Sequence, residues 1–210
     1  MNKLGDLSCN EFLTELASAA PAPGGGGGAA MAGALAAALA SMVANLTIGK
    51  EKFADREPEV KELLKQAEAE RVRLLTLVDE DAAVFNSFMS CYKLPKTTDE
   101  EKAARTAAIR AAAKQAATVP LNIARSSFAV LKLADRLVVA GNPGVFTDAA
   151  CSGLLARAAL RCAEYNVRIN LGLTKDEAWN AQAAADLKQL LADAEALETR
   201  LLAVTDKALQ

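Results

Sequence analysis

Apolar residues recur along this chain at helical spacing, and the strict apolar–polar alternation of a half-buried strand is nearly absent. Punctuation divides the pattern into helices. Ser8 with Glu11 makes a capping box for a short helix reaching about Ala19. Pro21-Ala22-Pro23 and five glycines, Gly24 to Gly28, then read as a loop, followed by a helix of small apolar residues from about Ala29 to Ile48. Within it Gly33, Ala37 and Ser41 recur every four residues, a stripe suited to close contact with another helix. Pro58 suits the first turn of a long helix to about Tyr92. Lys93-Leu94-Pro95-Lys96 ends that helix, and Thr98 with Glu101 caps the next, to about Thr118. Pro120 is read as the start of another helix, which stops at Gly141. After the turn Gly141-Asn142-Pro143-Gly144, Asp148 to Leu171 reads as helix, and Thr174 with Glu177 caps a last one to about Lys207. The prediction is an all-α fold: one domain over residues 1–210, an up-and-down helical bundle of six or seven helices without internal repeat.

Composition sharpens this picture. Hydrophobic residues make up 52% of the chain but aromatics only 4%, and alanine dominates the apolar set, which points to closely packed helices rather than a β-sandwich. The net charge of −2, with both signs interspersed, offers no basic stripe for nucleic acid. Ala29 to Ala44 is apolar but mostly alanine, with Asn45, Thr47 and Lys50 close behind. It falls short of a membrane span and is expected to be a buried helix. The opening Met1-Asn2-Lys3-Leu4-Gly5-Asp6 has no apolar core of a secretory signal, so a cytoplasmic location is expected. Cys9, Cys91, Cys151 and Cys162 are scattered without a Cys-x-x-Cys pair and are expected to be free and buried. There is no histidine. Histidine-based triads, the common zinc sites and the usual proton shuttle near pH 7 are thereby excluded, and acid–base chemistry falls to Asp, Glu, Lys, Tyr or Cys.

Two features could carry chemistry. Only about twenty residues precede the glycine run, too few for a core of their own, so it is no inter-domain linker. It is either a tight packing turn or a loop whose bare N–H groups, at a helix start, approach an anionic ligand. On the long helix after Pro58, Leu74, Val78, Phe85 and Phe88 mark an apolar face, and Asp81 lies on it among Leu77, Val78, Val84 and Phe85. A carboxylate in such surroundings is desolvated, which raises its pKa towards a range useful for proton transfer and attracts a cation. The alternative is that Asp81 pairs with a core arginine such as Arg157 or Arg168. Asp148 at a helix head is accounted for by capping. Asn166 and Asn170 share a face and serve either a helix–helix network or a ligand. Lys50, Lys52, Lys93 and Lys96 are solvated charges unless their loops converge on ligand carboxylates.

PAPGGGGGAAMAGALAAALASMVANLTIGKEKF (21–53), VDEDAAVFNSFM (78–89), LPKTTDEEKAAR (94–105), VPLNIA (119–124), GNPGVFTD (141–148) and NVRINL (166–171) occur in this order. Together they closely resemble the cyclodeaminase/cyclohydrolase family of folate enzymes, over essentially the whole chain. The resemblance implies an all-helical, dimer-forming fold that binds a folate substrate in a cleft, with no metal and no cofactor beyond that substrate. Nucleic-acid and membrane partners are not expected. Two activities are known in the family: closure of 5-formimino-tetrahydrofolate to 5,10-methenyl-tetrahydrofolate with loss of ammonia, and hydrolysis of 5,10-methenyl-tetrahydrofolate to 10-formyl-tetrahydrofolate.

The chain is read as lacking a formiminotransferase domain. Gly27-Gly28 resembles the stand-alone cyclohydrolases, where the cyclodeaminases compared commonly carry Ser-Val, so no loop serine hydroxyl is available here. The resemblance places the catalytic carboxylate on the second aspartate of Asp-x-Asp, which is Asp81. It places substrate-binding positions at Gly24, Gly25 and Gly26, at Lys50, and at Asn142 and Asp148. The expected activity is therefore a methenyltetrahydrofolate cyclohydrolase, with a formimidoyltetrahydrofolate cyclodeaminase as the alternative. A non-catalytic helical module associating through the Gly33/Ala37/Ser41 stripe is the rival class; it leaves Asp81 and the glycine run without a purpose.

Overall fold

Two capping boxes form as their spacing predicts. Ser8 Oγ accepts from the Glu11 backbone N–H while Glu11 accepts from the Ser8 N–H, and Thr98 and Glu101 repeat the arrangement. They open the first and fourth of six α-helices in the computed structural model, which describes residues 3–210. The helices are α1 (Cys9–Leu16), α2 (Gly25–Asn45), α3 (Glu57–Cys91), α4 (Asp99–Ala140), α5 (Phe146–Thr174) and α6 (Glu177–Ala208). There is no strand among the described residues. Met1 and Asn2, part of the opening searched for a secretory signal, lie outside the described residues. Helices α2, α3, α4 and α5 pack on one another, and α6 covers α4 and α5.

Helix α2 is the inner piece. Ala30, Ala36, Ala37, Ala40, Val43 and Ala44 are fully buried. Each alanine methyl removes little surface from water, so α2 relies on close approach over many residues rather than on large side chains. At Gly33 a methyl would lie 3.0 Å from both Leu74 Cδ2 of α3 and Ser127 Oγ of α4, which is the close contact the small-residue stripe foretells. By length and hydropathy α2 does meet the requirements of a membrane span, contrary to the sequence reading; most of it is packed inside the protein.

Four further expectations are corrected. The glycines do not form a loop ahead of α2: Gly24 is its N-cap and Gly25–Gly28 its first turn. Glycine costs about 1 kcal/mol in a helix relative to alanine, but here the missing side chains make room for neighbours, which decides the matter. Pro120 does not start a helix but sits inside the 42-residue α4. A proline there removes the bond to the carbonyl four residues back, and Asn170 Nδ2 donates to that Ala116 carbonyl instead, at 2.7 Å. The Thr174/Glu177 box does not form: α6 is capped by Asp176, which accepts from Trp179 N–H at 3.1 Å, while Thr174 Oγ1 donates to Asn180 Oδ1. The cysteines are free as expected, but Cys9, Cys151 and Cys162 lie on exposed helix faces and Cys91 is only half-buried.

Candidate active site

The first turn of α2, the middle of α3 and the second half of α5 meet around a cleft of about 180 Å³. Among the described residues, Asp81 of α3 is its one ionisable lining group, beside Val84, Phe85 and Phe88 of the same helix. Gly24, Gly25 and Gly26 form the opposite wall with Pro21 and Ala22, and Ala116, Asn166 and Asn170 close a third side. The need for glycine is geometric. A methyl at Gly26 would fall 2.6 Å from Asp81 Cγ, so only a bare backbone lets the carboxylate reach the helix start.

Burial pushes the Asp81 carboxyl above the ordinary carboxylate value, and a hydrogen bond from the Gly27 backbone N–H opposes part of that rise. No ion pair relieves it among the described residues. The two arginines that sequence reasoning offered as partners are engaged elsewhere, Arg157 with Glu198 at 3.1 Å and Arg168 with Glu164 at 3.3 Å. An unpaired, half-buried carboxylate in an apolar cleft is equipped to take up a proton and to stabilise a delocalised cation. Asp79, two residues earlier, has a different task. Its Oδ1 accepts from the Leu4 N–H at 2.6 Å and fastens the 3-10 turn Leu4–Asp6 against α3.

The other residues singled out in the sequence lie elsewhere. Lys50 caps the 3-10 turn Glu51–Phe53, and Lys52 rests over the Phe53 ring. Asn142 donates from Nδ2 to the Leu46 carbonyl and from its backbone N–H to Thr47 Oγ1, while its Oδ1 accepts from Gly144 N–H. Asp148 stands in the first turn of α5, which begins at Phe146. These residues therefore gather at the C-terminal end of α2, and the 21-residue length of that helix separates them from Gly25 by about 30 Å within one chain.

Asn166 and Asn170, open between two readings in the sequence, do line the cleft. Ala116 was missed. Its signal is Pro120, since a proline inside a helix exposes the carbonyl four residues before it. A larger hollow of about 380 Å³ lies between α3, α4 and α6, but Arg136 pairs there with Glu59 and Arg200 with Asp135. No group of three or more Cys, Asp or Glu side chains placed to hold a metal ion occurs among the described residues.

Comparison with known proteins places the whole chain in a family. The family model described as formiminotransferase-cyclodeaminase matches residues 8–189. A methenyltetrahydrofolate cyclohydrolase of Methylorubrum extorquens is 44% identical over 197 residues, covering 94% of this chain and 95% of that protein. A formimidoyltransferase-cyclodeaminase of Sus scrofa is 34% identical over 87% of this chain, which spans 34% of that longer protein. The crystal structure of a formiminotetrahydrofolate cyclodeaminase from Thermotoga maritima superposes with a TM-score of 0.88 at 29% identity, covering 98% of both chains. The chain belongs to the formiminotransferase-cyclodeaminase family.

Proposed function

We propose that this chain is a folate one-carbon enzyme, a methenyltetrahydrofolate cyclohydrolase that interconverts 5,10-methenyltetrahydrofolate and 10-formyltetrahydrofolate. The observation that carries the reading is Asp81: unpaired, desolvated, and set against the glycine turn in a cleft that has no cation of its own. The 44% identity to a cyclohydrolase along nearly the full length of both chains supports it. The methenyl carbon is flanked by N5 and N10 and carries amidinium charge, which an ionised Asp81 attracts. Asp81 takes one proton from a water as its oxygen bonds to that carbon, giving a neutral tetrahedral adduct. The same proton passes to N5, the C–N5 bond breaks, and the formyl group stays on N10 after the hydroxyl proton is lost to solvent. These steps use one carboxyl group and water, so the folate substrate is the only small molecule the reading requires.

A formimidoyltetrahydrofolate cyclodeaminase is the second reading, favoured by the likeness in fold to the Thermotoga maritima protein. There N10 would close on the formimino carbon and ammonia would leave, with Asp81 moving the proton. One side-by-side measurement separates the two: decay of the methenyl chromophore beyond its spontaneous rate, against ammonia release from 5-formimino-tetrahydrofolate. Catalysed decay with no ammonia is the expected result, and the reverse result replaces the first reading with the second.

The working unit in this proposal is a homodimer in the cytoplasm, without nucleic-acid or membrane partners. The solvent face of α2 is apolar, with Leu35 51% exposed, and α5 also exposes Tyr165 and Ile169, 60% and 71%. A second copy packed with the two α2 helices antiparallel would cover this face. It would also bring the Lys50 and Asn142–Asp148 end of one copy towards the glycine end of the other. At about 180 Å³ the cleft is smaller than the roughly 300–1,000 Å³ of pockets that enclose a drug-sized ligand. A folate must therefore reach past it, onto the surface a second copy would provide.

A further inference from the structure

Asn170 makes a contact that helix geometry alone would not ask for. Its Nδ2 donates to the Ala116 carbonyl at 2.7 Å and to the Asn166 carbonyl at 2.9 Å, which uses both hydrogens of the amide. Both partners can only accept, so the side-chain oxygen cannot occupy that position, and the orientation of the amide is fixed by its surroundings. The Ala116 carbonyl is free to accept because Pro120 has no N–H to offer it. The proline thus holds the asparagine in place. Oδ1 is left at the other end of the amide, accepting from no group among the described residues, on a side chain that lines the cleft beside Asp81.

We propose that Asn170 determines specificity in this site, its Oδ1 accepting a hydrogen bond from an N–H of the bound tetrahydropterin. The proposal rests on the folate reading above and adds the polar group that orients the ring. Val84, Phe85 and Phe88, on the same helix as Asp81, grip a ring without setting its direction. A fixed acceptor selects for a donor, because a ligand without one leaves the oxygen desolvated and unpaired. A tetrahydropterin carries such donors at N3, N8 and the exocyclic amine, and one of them can meet Oδ1 while the reacting carbon faces Asp81.

Substituting Asn170 alone would also strip the Ala116 carbonyl of its donor. The test therefore compares Pro120→Ala, which restores a backbone N–H to that carbonyl, with Pro120→Ala/Asn170→Ala, which then lacks only the side-chain amide. Kd and KM are measured for 5,10-methenyltetrahydrofolate and for its 8-deaza, 3-methyl and 2-desamino-2-methyl analogues, which between them delete each of these three N–H donors. The double variant should bind the parent compound about tenfold more weakly than Pro120→Ala, the order expected for one hydrogen bond to a ligand. For the analogue lacking the matching donor the difference should fall below twofold. Equal losses on all four ligands, or none on the parent, overturn the proposal. Binding of the parent without hydrolysis by the unaltered protein counts against the cyclohydrolase reading alone, and failure to bind any of the four overturns both.

Discussion

If Asp81 has the proposed role, replacing it by asparagine should separate stability from catalysis. The amide has the carboxylate's shape, and its oxygen can still accept from the Gly27 N–H, so the contact with the first turn of α2 survives. What disappears is a charge that burial opposes. A carboxyl whose pKa is raised by folding binds protons more tightly in the folded state than in the unfolded one. Stability therefore falls as pH rises from the unfolded value, about 3.9, through the raised folded value, and the cost is fully present above that folded value. Asp81→Asn removes that cost, and its melting temperature at pH 7 should equal or exceed that of the unaltered protein. Turnover should move the other way. Loss of a positioned acid–base group costs about 10²–10⁴ in rate, equivalent to about 2.7–5.4 kcal/mol of barrier. The assay is decay of the methenyl chromophore above its spontaneous rate, run beside a thermal melt with and without ligand. A ligand at a hundred times its Kd adds about 2.7 kcal/mol of stability, so retained binding is visible even when turnover is gone. Turnover within tenfold of normal would falsify the role of Asp81. A marked drop in melting temperature would refute the account of its desolvation.

The same reasoning extends to four other measurements. Gly26→Ala places a methyl 2.6 Å from Asp81 Cγ and should reduce kcat/KM at least ~10²-fold. Gly28→Ala has nothing nearer than Leu16 Cδ2 at 3.9 Å, so it should keep its activity and melt about 2–4 °C higher, since alanine is favoured over glycine inside a helix by about 1 kcal/mol. The rate of hydrolysis should rise with pH through an acidic limb lying above 3.9, because burial raises the Asp81 pKa and the ionised form is the base. A limb at or below the ordinary carboxylate value contradicts this, as does one that persists in Asp81→Asn. Leu35→Glu puts a charge on the apolar face of α2 and should convert a dimer to a monomer in sedimentation velocity. An unchanged mass would move the interface elsewhere.

The parts of the fold set by local rules were legible in the sequence. Ser8/Glu11 and Thr98/Glu101 cap where the spacing says, because a capping box needs only four consecutive residues. Asp81 was legible because its apolar neighbours recur at helical spacing on its own helix, which is enough to predict desolvation. Other features depend on partners distant in sequence. In the glycine turn that opens α2, Asp81 occupies the space that a side chain at Gly26 would need. Pro120 stayed inside α4 because Asn170, fifty residues later, supplies a donor. The grouping of Lys50, Asn142 and Asp148 at the far end of α2 follows from the length of that helix, which no local pattern relates to the site.

The glycine turn and Asp81 also constrain each other energetically. A helix start offers several unpaired N–H groups and the positive end of its dipole, and a carboxylate accepting from two or three of them would be held ionised far below neutral pH. Such a group would be a poor base. Here the Gly27 N–H lowers the Asp81 pKa while burial raises it, and burial is the larger effect. The turn therefore does two things at once: its missing side chains admit the carboxylate, and its limited donation leaves that carboxylate able to accept a proton. A helix start of ordinary residues would fail on the first count, since even one methyl at position 26 collides with Asp81. A carboxylate seated deeper among the N–H groups would fail on the second. On this reading the glycine at position 26 answers to proton chemistry as much as to packing.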